Sequence, residues 1–222
     1  MKKPTGKMGP YRVTVGEKGK VGGSFEKVSF PTEKDDIESY IVSCFIGSAE
    51  KALGQHFFLS NPRKNELDDF DFSVTTPKGE GYLELMEVAP LELHEGGHDA
   101  APNVYNRYEM AQSIHSKVVE KSEKYPRDLS LELFLLLYVT NYKFRLTNTT
   151  MKILAYFCHN SSLRFDVILL YTPLDEVEGD VAWIYPMEEA DFEGFDPERY
   201  RGVVLSFDSE SFEVKTPKKP SP

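Results

Sequence analysis

Ile37, Tyr40, Ile41, Cys44, Phe45 and Ser48 follow one another at three- and four-residue steps, the spacing of one buried helical face. Thr32 stands where an N-cap would, Glu33, Asp35 and Asp36 crowd the first turn, and Gly54 lies just past the end. These signals predict a helix between Thr32 and Gly54. Extended segments are expected next at His56–Ser60, Asp69–Val74 and Tyr82–Val88, the last two joined by a loop holding Pro77, Gly79 and Gly81, which is hairpin chemistry. Tyr105, Tyr108, Ala111, Ile114 and Val118 share one side of a second predicted helix, from about Asn103 to Tyr125, stopped by Pro126. An apolar strand at Leu131–Val139, a helix capped near Asn148 and an apolar strand at Leu163–Tyr171 follow.

Strands this apolar are usually covered on both faces. The order therefore implies an α/β fold with a mixed central sheet flanked by helices, an α-β-β-β-α-β core, and further strands at "VAWIYP" and "GVVLSF". Ahead of the core, "YRVTV" and "FEKVSF" flank a Gly- and Lys-rich stretch and suggest a peripheral hairpin within residues 1–30. Residues 31–210 are expected to form one domain, and 211–222 a disordered tail.

Alternation in the central hairpin brings two acids together. If the turn is centred on Pro77 and Lys78, Asp71 lies opposite Glu84, Phe72 opposite Leu83 and Phe70 opposite Leu85. Phe70, Phe72, Val74, Leu83 and Leu85 then form a core face, and Asp71, Ser73, Tyr82, Glu84 and Met86 the other. Carboxylates facing across a ladder repel, so the pair calls for a cation or a shared proton, and a hard divalent ion such as Mg²⁺ or Mn²⁺ is the natural candidate. A solvated sheet face screened by water and Lys78 accounts for the same spacing.

The element order, the acids in "DFDF" and "YLELMEV", and the Lys-rich helix ending in "KVVEKSEKYP" resemble the PD-(D/E)XK, or restriction-endonuclease-like, nuclease superfamily. The resemblance covers Thr32 to Tyr171. It implies a metal-dependent nuclease hydrolysing phosphodiester bonds, with Asp71, Glu84 and the Leu85 carbonyl holding Mg²⁺ or Mn²⁺. Met86 stands where the family has its lysine, and Phe70 where it has its proline. Lys121 or Lys117, from the following helix, would then supply the basic group; failing that, the chain is a degenerate member of the superfamily.

Charge bears on partners. The formal net charge is −10, yet Ala101–Lys152 carries eight Lys and Arg against five acids. Arg107, Lys117, Lys121 and Lys124 could meet a nucleic-acid backbone. From Asp175 to Glu210 there are twelve acids against two arginines, so 175–210 could bind a basic protein partner, the function of a non-catalytic interaction module. The start of the chain lacks the apolar stretch of a signal peptide, and no run is long enough to span a bilayer, so a cytoplasmic protein with reduced Cys44 and Cys158 is expected.

One louder motif competes. His94, Glu95 and His98 spell H-E-x-x-H, the zinc-protease pattern, which requires both histidines on one helical face. Gly96 and Gly97 inside it each cost about 1 kcal/mol in a helix relative to Ala, and Pro90 and Pro102 bracket the segment. A loop leaving the strand of Glu84 is the expected conformation, and a zinc metalloprotease the weaker alternative.

Overall fold

In the computed structural model, residues 8, 11–15, 21–25, 28–54, 59–66, 70–95, 101–102, 105–126 and 129–202 are described. β1 (Tyr11–Val15) and β2 (Val21–Phe25) pair antiparallel as a separate two-stranded sheet. The expected hairpin is present, but its second strand precedes the segment predicted for it.

α1 (Lys34–Leu53) ends at Gly54, whose φ of 53° needs a residue without a side chain. Its N-cap is Glu33 rather than Thr32, with no side-chain cap bond, and Asp35 and Asp36 face the helix dipole instead. β3 (Ser60–Lys64), β4 (Phe72–Thr76), β5 (Gly79–Glu87), β6 (Glu132–Tyr138), β7 (Val167–Pro173) and β8 (Gly179–Tyr185) form one six-stranded sheet in sequence order. β5, β6 and β7 run parallel and the outer strands antiparallel. The parallel connections are made by α2 (Arg107–Ser122) and α3 (Asn148–His159), capped by the side chains of Asn106 and Thr147.

Side-chain parity along β5–β7 sorts the core into two layers. Leu83, Leu85, Phe134, Leu136, Leu169 and Tyr171 meet Ile37, Ile41 and Phe45 of α1 on one face. Leu133, Leu135, Leu137, Ile168 and Leu170 meet α2 and α3 on the other. The molecule is thus an α/β sandwich with a mixed sheet flanked by helices.

Two expectations shift. The segment predicted as a strand at His56–Ser60 contributes only Ser60 to β3, and 55–58 lie outside the described residues. "GVVLSF" lies almost wholly outside them, as does the expected tail at 211–222. Among the described residues no helix is long and apolar enough to cross a membrane.

Candidate functional site

β4 and β5 pair with Phe72 opposite Leu83, the predicted register, and it places Asp71 next to Glu84 just beyond the last ladder pair. Each acid accepts a main-chain N–H from the other strand: Asp71 N donates to Glu84 Oε1 at 3.1 Å, and Leu85 N donates to Asp71 Oδ2 at 2.7 Å. The two carboxylates thus continue the ladder where the backbone of β4 has left it.

Parity predicts Phe70 on the face of Phe72, and the structure reverses it. Phe70 precedes the strand, so the pleat does not bind it, and its ring stacks on Tyr82 at 3.9 Å and 5° and on Tyr125 at 5.4 Å. An aromatic stack therefore lies beside the two acids, on the side of α2.

Lys121, in the last turn of α2, completes the cluster. Its Nζ lies 2.6 Å from Glu84 Oε2 and 3.8 Å from Asp71 Oδ2. The side chain of Glu84 is only 4 % exposed, against 24 % for Asp71 and 21 % for Lys121, so the pair opens to solvent on the Asp71 side. Burial pushes the Glu84 carboxyl above the ordinary carboxylate range, opposed by Lys121 and reinforced by Asp71. Burial, and hydrogen bonding to Glu84, in turn hold the Tyr125 phenol well above its usual range. Composition and spacing gave no sign of Tyr125, because it follows the helix and its partner is distant in sequence.

Lys117, the other candidate for the basic group, points elsewhere. Its Nζ donates to the Ala89 carbonyl at 2.9 Å and pairs with Glu92 at 2.7 Å, because one helical turn separates it from Lys121 and carries it toward the end of β5. Met86, on the same face of β5 as Glu84, packs against the core under α2 and α3. Lys78 pairs with Glu132 at 2.8 Å and so is engaged away from the two acids.

Most of the basic strip expected to meet nucleic acid is engaged by partners within the chain. Arg107 donates to Thr149 at 3.2 Å and its Nε is buried, while Lys117 and Lys121 have carboxylate partners. Lys124 is exposed.

The H-E-x-x-H segment is not helical where it is described. A short 3-10 turn at Leu91–Leu93 stops at His94, whose backbone is extended at φ −158° and ψ 157°, and His94 Nδ1 lies 3.1 Å from the Tyr105 hydroxyl. His98 lies outside the described residues. Among those residues no group of three or more His, Cys, Asp or Glu is placed to hold a metal.

A centre of two carboxylates still fits the chemistry of Mg²⁺ or Mn²⁺, which bind through one or two acids and keep several waters. The Lys121 ammonium seated against both acids shows that this pair accepts a cation. Extended geometry puts the Leu85 carbonyl on the same strand edge as its N–H, which faces Asp71.

No protein-family model matches the chain, and no curated protein matches it in sequence. The structure of Pyrococcus furiosus SfsA in complex with Ca²⁺ aligns with a TM-score of 0.30 and 10 % identity, over 74 % of this chain and 75 % of that one. A likeness at that level carries no argument about function.

Proposed function

We propose that Asp71, Glu84 and Lys121 form the centre of a nuclease-like phosphodiester hydrolase. The supporting observation is their convergence: the Lys121 ammonium, from the next helix, lies 2.6 Å from Glu84 and 3.8 Å from Asp71, acids that sit side by side across the β4–β5 hairpin. That is the arrangement the family resemblance implies once the lysine absent at Met86 is supplied by α2. Asp71 and Glu84, with the Leu85 carbonyl, would hold Mg²⁺ or Mn²⁺, which when bound supplies an acidified water and neutralises charge on phosphate.

The chain's own groups do the rest. Lys121 orients the attacking water or stabilises the charge that develops on the phosphate. Tyr125 holds the Glu84 carboxylate in place. Asp71, the more exposed acid, presents the centre to substrate. Lys124, which is exposed, offers a phosphate contact. A cytoplasmic setting accompanies this reading, since it keeps the free thiols Cys44 and Cys158 reduced.

The test is cleavage of single- and double-stranded DNA and RNA in the presence of Mg²⁺ or Mn²⁺. Asp71→Asn is expected to abolish cleavage without changing the circular dichroism spectrum. Lys121→Met should lower kcat by about 10²–10³. Cleavage that survives Asp71→Asn, or no cleavage of any of these substrates by the wild type, would end the proposal and leave the cluster a structural ion group.

A further inference from the structure

Between α3 and the segment 189–195 lies a cavity of about 570 Å³, within the size range of ligand sites. Three rings line it. Tyr156 meets Phe192 edge to face at 5.5 Å and 84°, and Phe195 at 5.9 Å and 61°, while Phe192 and Phe195 are 6.4 Å apart. Tyr156 and Phe195 are half-buried and Phe192 is buried, so the lining offers aromatic surface of the kind that attracts ammonium and guanidinium groups.

The carboxylates of the lining are free of basic neighbours in their own segment. Glu189 and Glu193 line it and are exposed, and Glu188–Asp196 carries five acids and no Lys or Arg. His159, also in the lining, uses Nδ1 on the Met187 carbonyl at 3.1 Å.

The chain itself uses this recognition twice nearby. Lys152 Nζ sits 4.9 Å from the centre of the Phe195 ring, and Lys152 is not part of the cavity lining. The Arg201 guanidinium lies 4.7 Å from the Tyr108 ring while its Nε pairs with Glu198 at 2.7 Å.

We propose that this cavity takes the side-chain cation of a lysine or arginine from a basic peptide segment, with the neighbouring residues of that segment held by the surrounding acids. The expectation of a basic partner for 175–210 thereby acquires a defined anchor. The inference uses none of Asp71, Glu84 or Lys121, so it stands or falls separately from the proposed hydrolase.

The measurement is binding of tetralysine and tetra-arginine to the full chain, by calorimetry and by the ring signals of Tyr156, Phe192 and Phe195 in NMR spectra. Saturable binding that moves those signals is expected. Phe195→Leu keeps apolar bulk but removes the π surface, and should weaken binding about tenfold. Glu189→Gln with Glu193→Gln changes only exposed side chains and should weaken it further at low salt than at high salt. Peptide binding that leaves the ring signals unmoved, or that ignores Phe195→Leu in a variant shown to be folded, would overturn the site in favour of diffuse attraction to acidic surface. Tetramethylammonium binding as tightly as tetralysine would overturn the assignment to a peptide.

Discussion

Glu84 is held between opposing influences: burial raises its carboxyl, Lys121 lowers it, and Asp71 raises it again, with the first the largest. A carboxyl raised in the folded state binds its proton more tightly there than in the unfolded chain. Its stabilising contribution is complete below the unfolded value and is lost as pH rises through the folded one. Wild-type stability relative to Glu84→Gln should therefore fall as pH increases from below the ordinary carboxylate range toward neutrality, which urea titrations at a series of pH values would record. Lys121 competes for the same carboxylate that a divalent ion would use. Lys121→Met should consequently tighten Mn²⁺ binding, measured by calorimetry, even as it slows cleavage; weaker Mn²⁺ binding in that variant would mean that the ammonium does not compete with the metal.

Among the elements, β8 depends on a close approach to β7. A Cβ on Gly179 would lie 2.6 Å from the Thr172 carbonyl oxygen and run into the Tyr171 ring. Gly179→Ala is expected to cost about 1–3 kcal/mol by overpacking, seen as a lower denaturant midpoint. The hairpin of β4 and β5 was legible because alternating Phe72, Val74, Leu83 and Leu85 are all buried on one face, and a slip of one residue would turn every one of them away from α1. Phe70 departs from the alternation for the same reason in reverse: the pattern holds only inside a strand, and the stack on Tyr82 and Tyr125 is a tertiary contact. β3 left no signal at all. "SNPRK" is an edge strand with Pro62, a mostly exposed surface and a register shift between Ser60 and Arg63, and edge strands need neither alternation nor apolar residues. In α2, periodicity located the helix but not which lysine turns toward the acids, because Lys117 and Lys121 share a face and only the neighbouring strand decides between them.

At the scale of the whole molecule, one sheet serves two cores, and β5–β7 contribute to both through alternate side chains. Ile41 on α1 and Ile153 on α3 are fully buried on opposite faces. Their replacement by alanine should each cost about 2–5 kcal/mol, and both variants should still unfold in a single transition followed by fluorescence and circular dichroism. Separate transitions would show that the two layers are not coupled through the sheet. Alternation in the hairpin and the apolar runs of β6 and β7 made this layering readable, as the residue counts did the acidity beyond Asp175, whereas the engagement of Lys117 and Lys121 by carboxylates depended on partners that lie far apart in the chain.

The exchange of main-chain hydrogen bonds between Asp71, Glu84 and Leu85 has a consequence for how such a chain changes over generations. Both acids hold backbone in place whether or not anything is cleaved, so purifying selection for a stable hairpin alone would keep them. Lys121, a side chain 21 % exposed in the last turn of a helix, carries no such duty toward the main chain. A lineage that abandoned chemistry would lose the lysine first and carry the two acids forward as relics with a structural job.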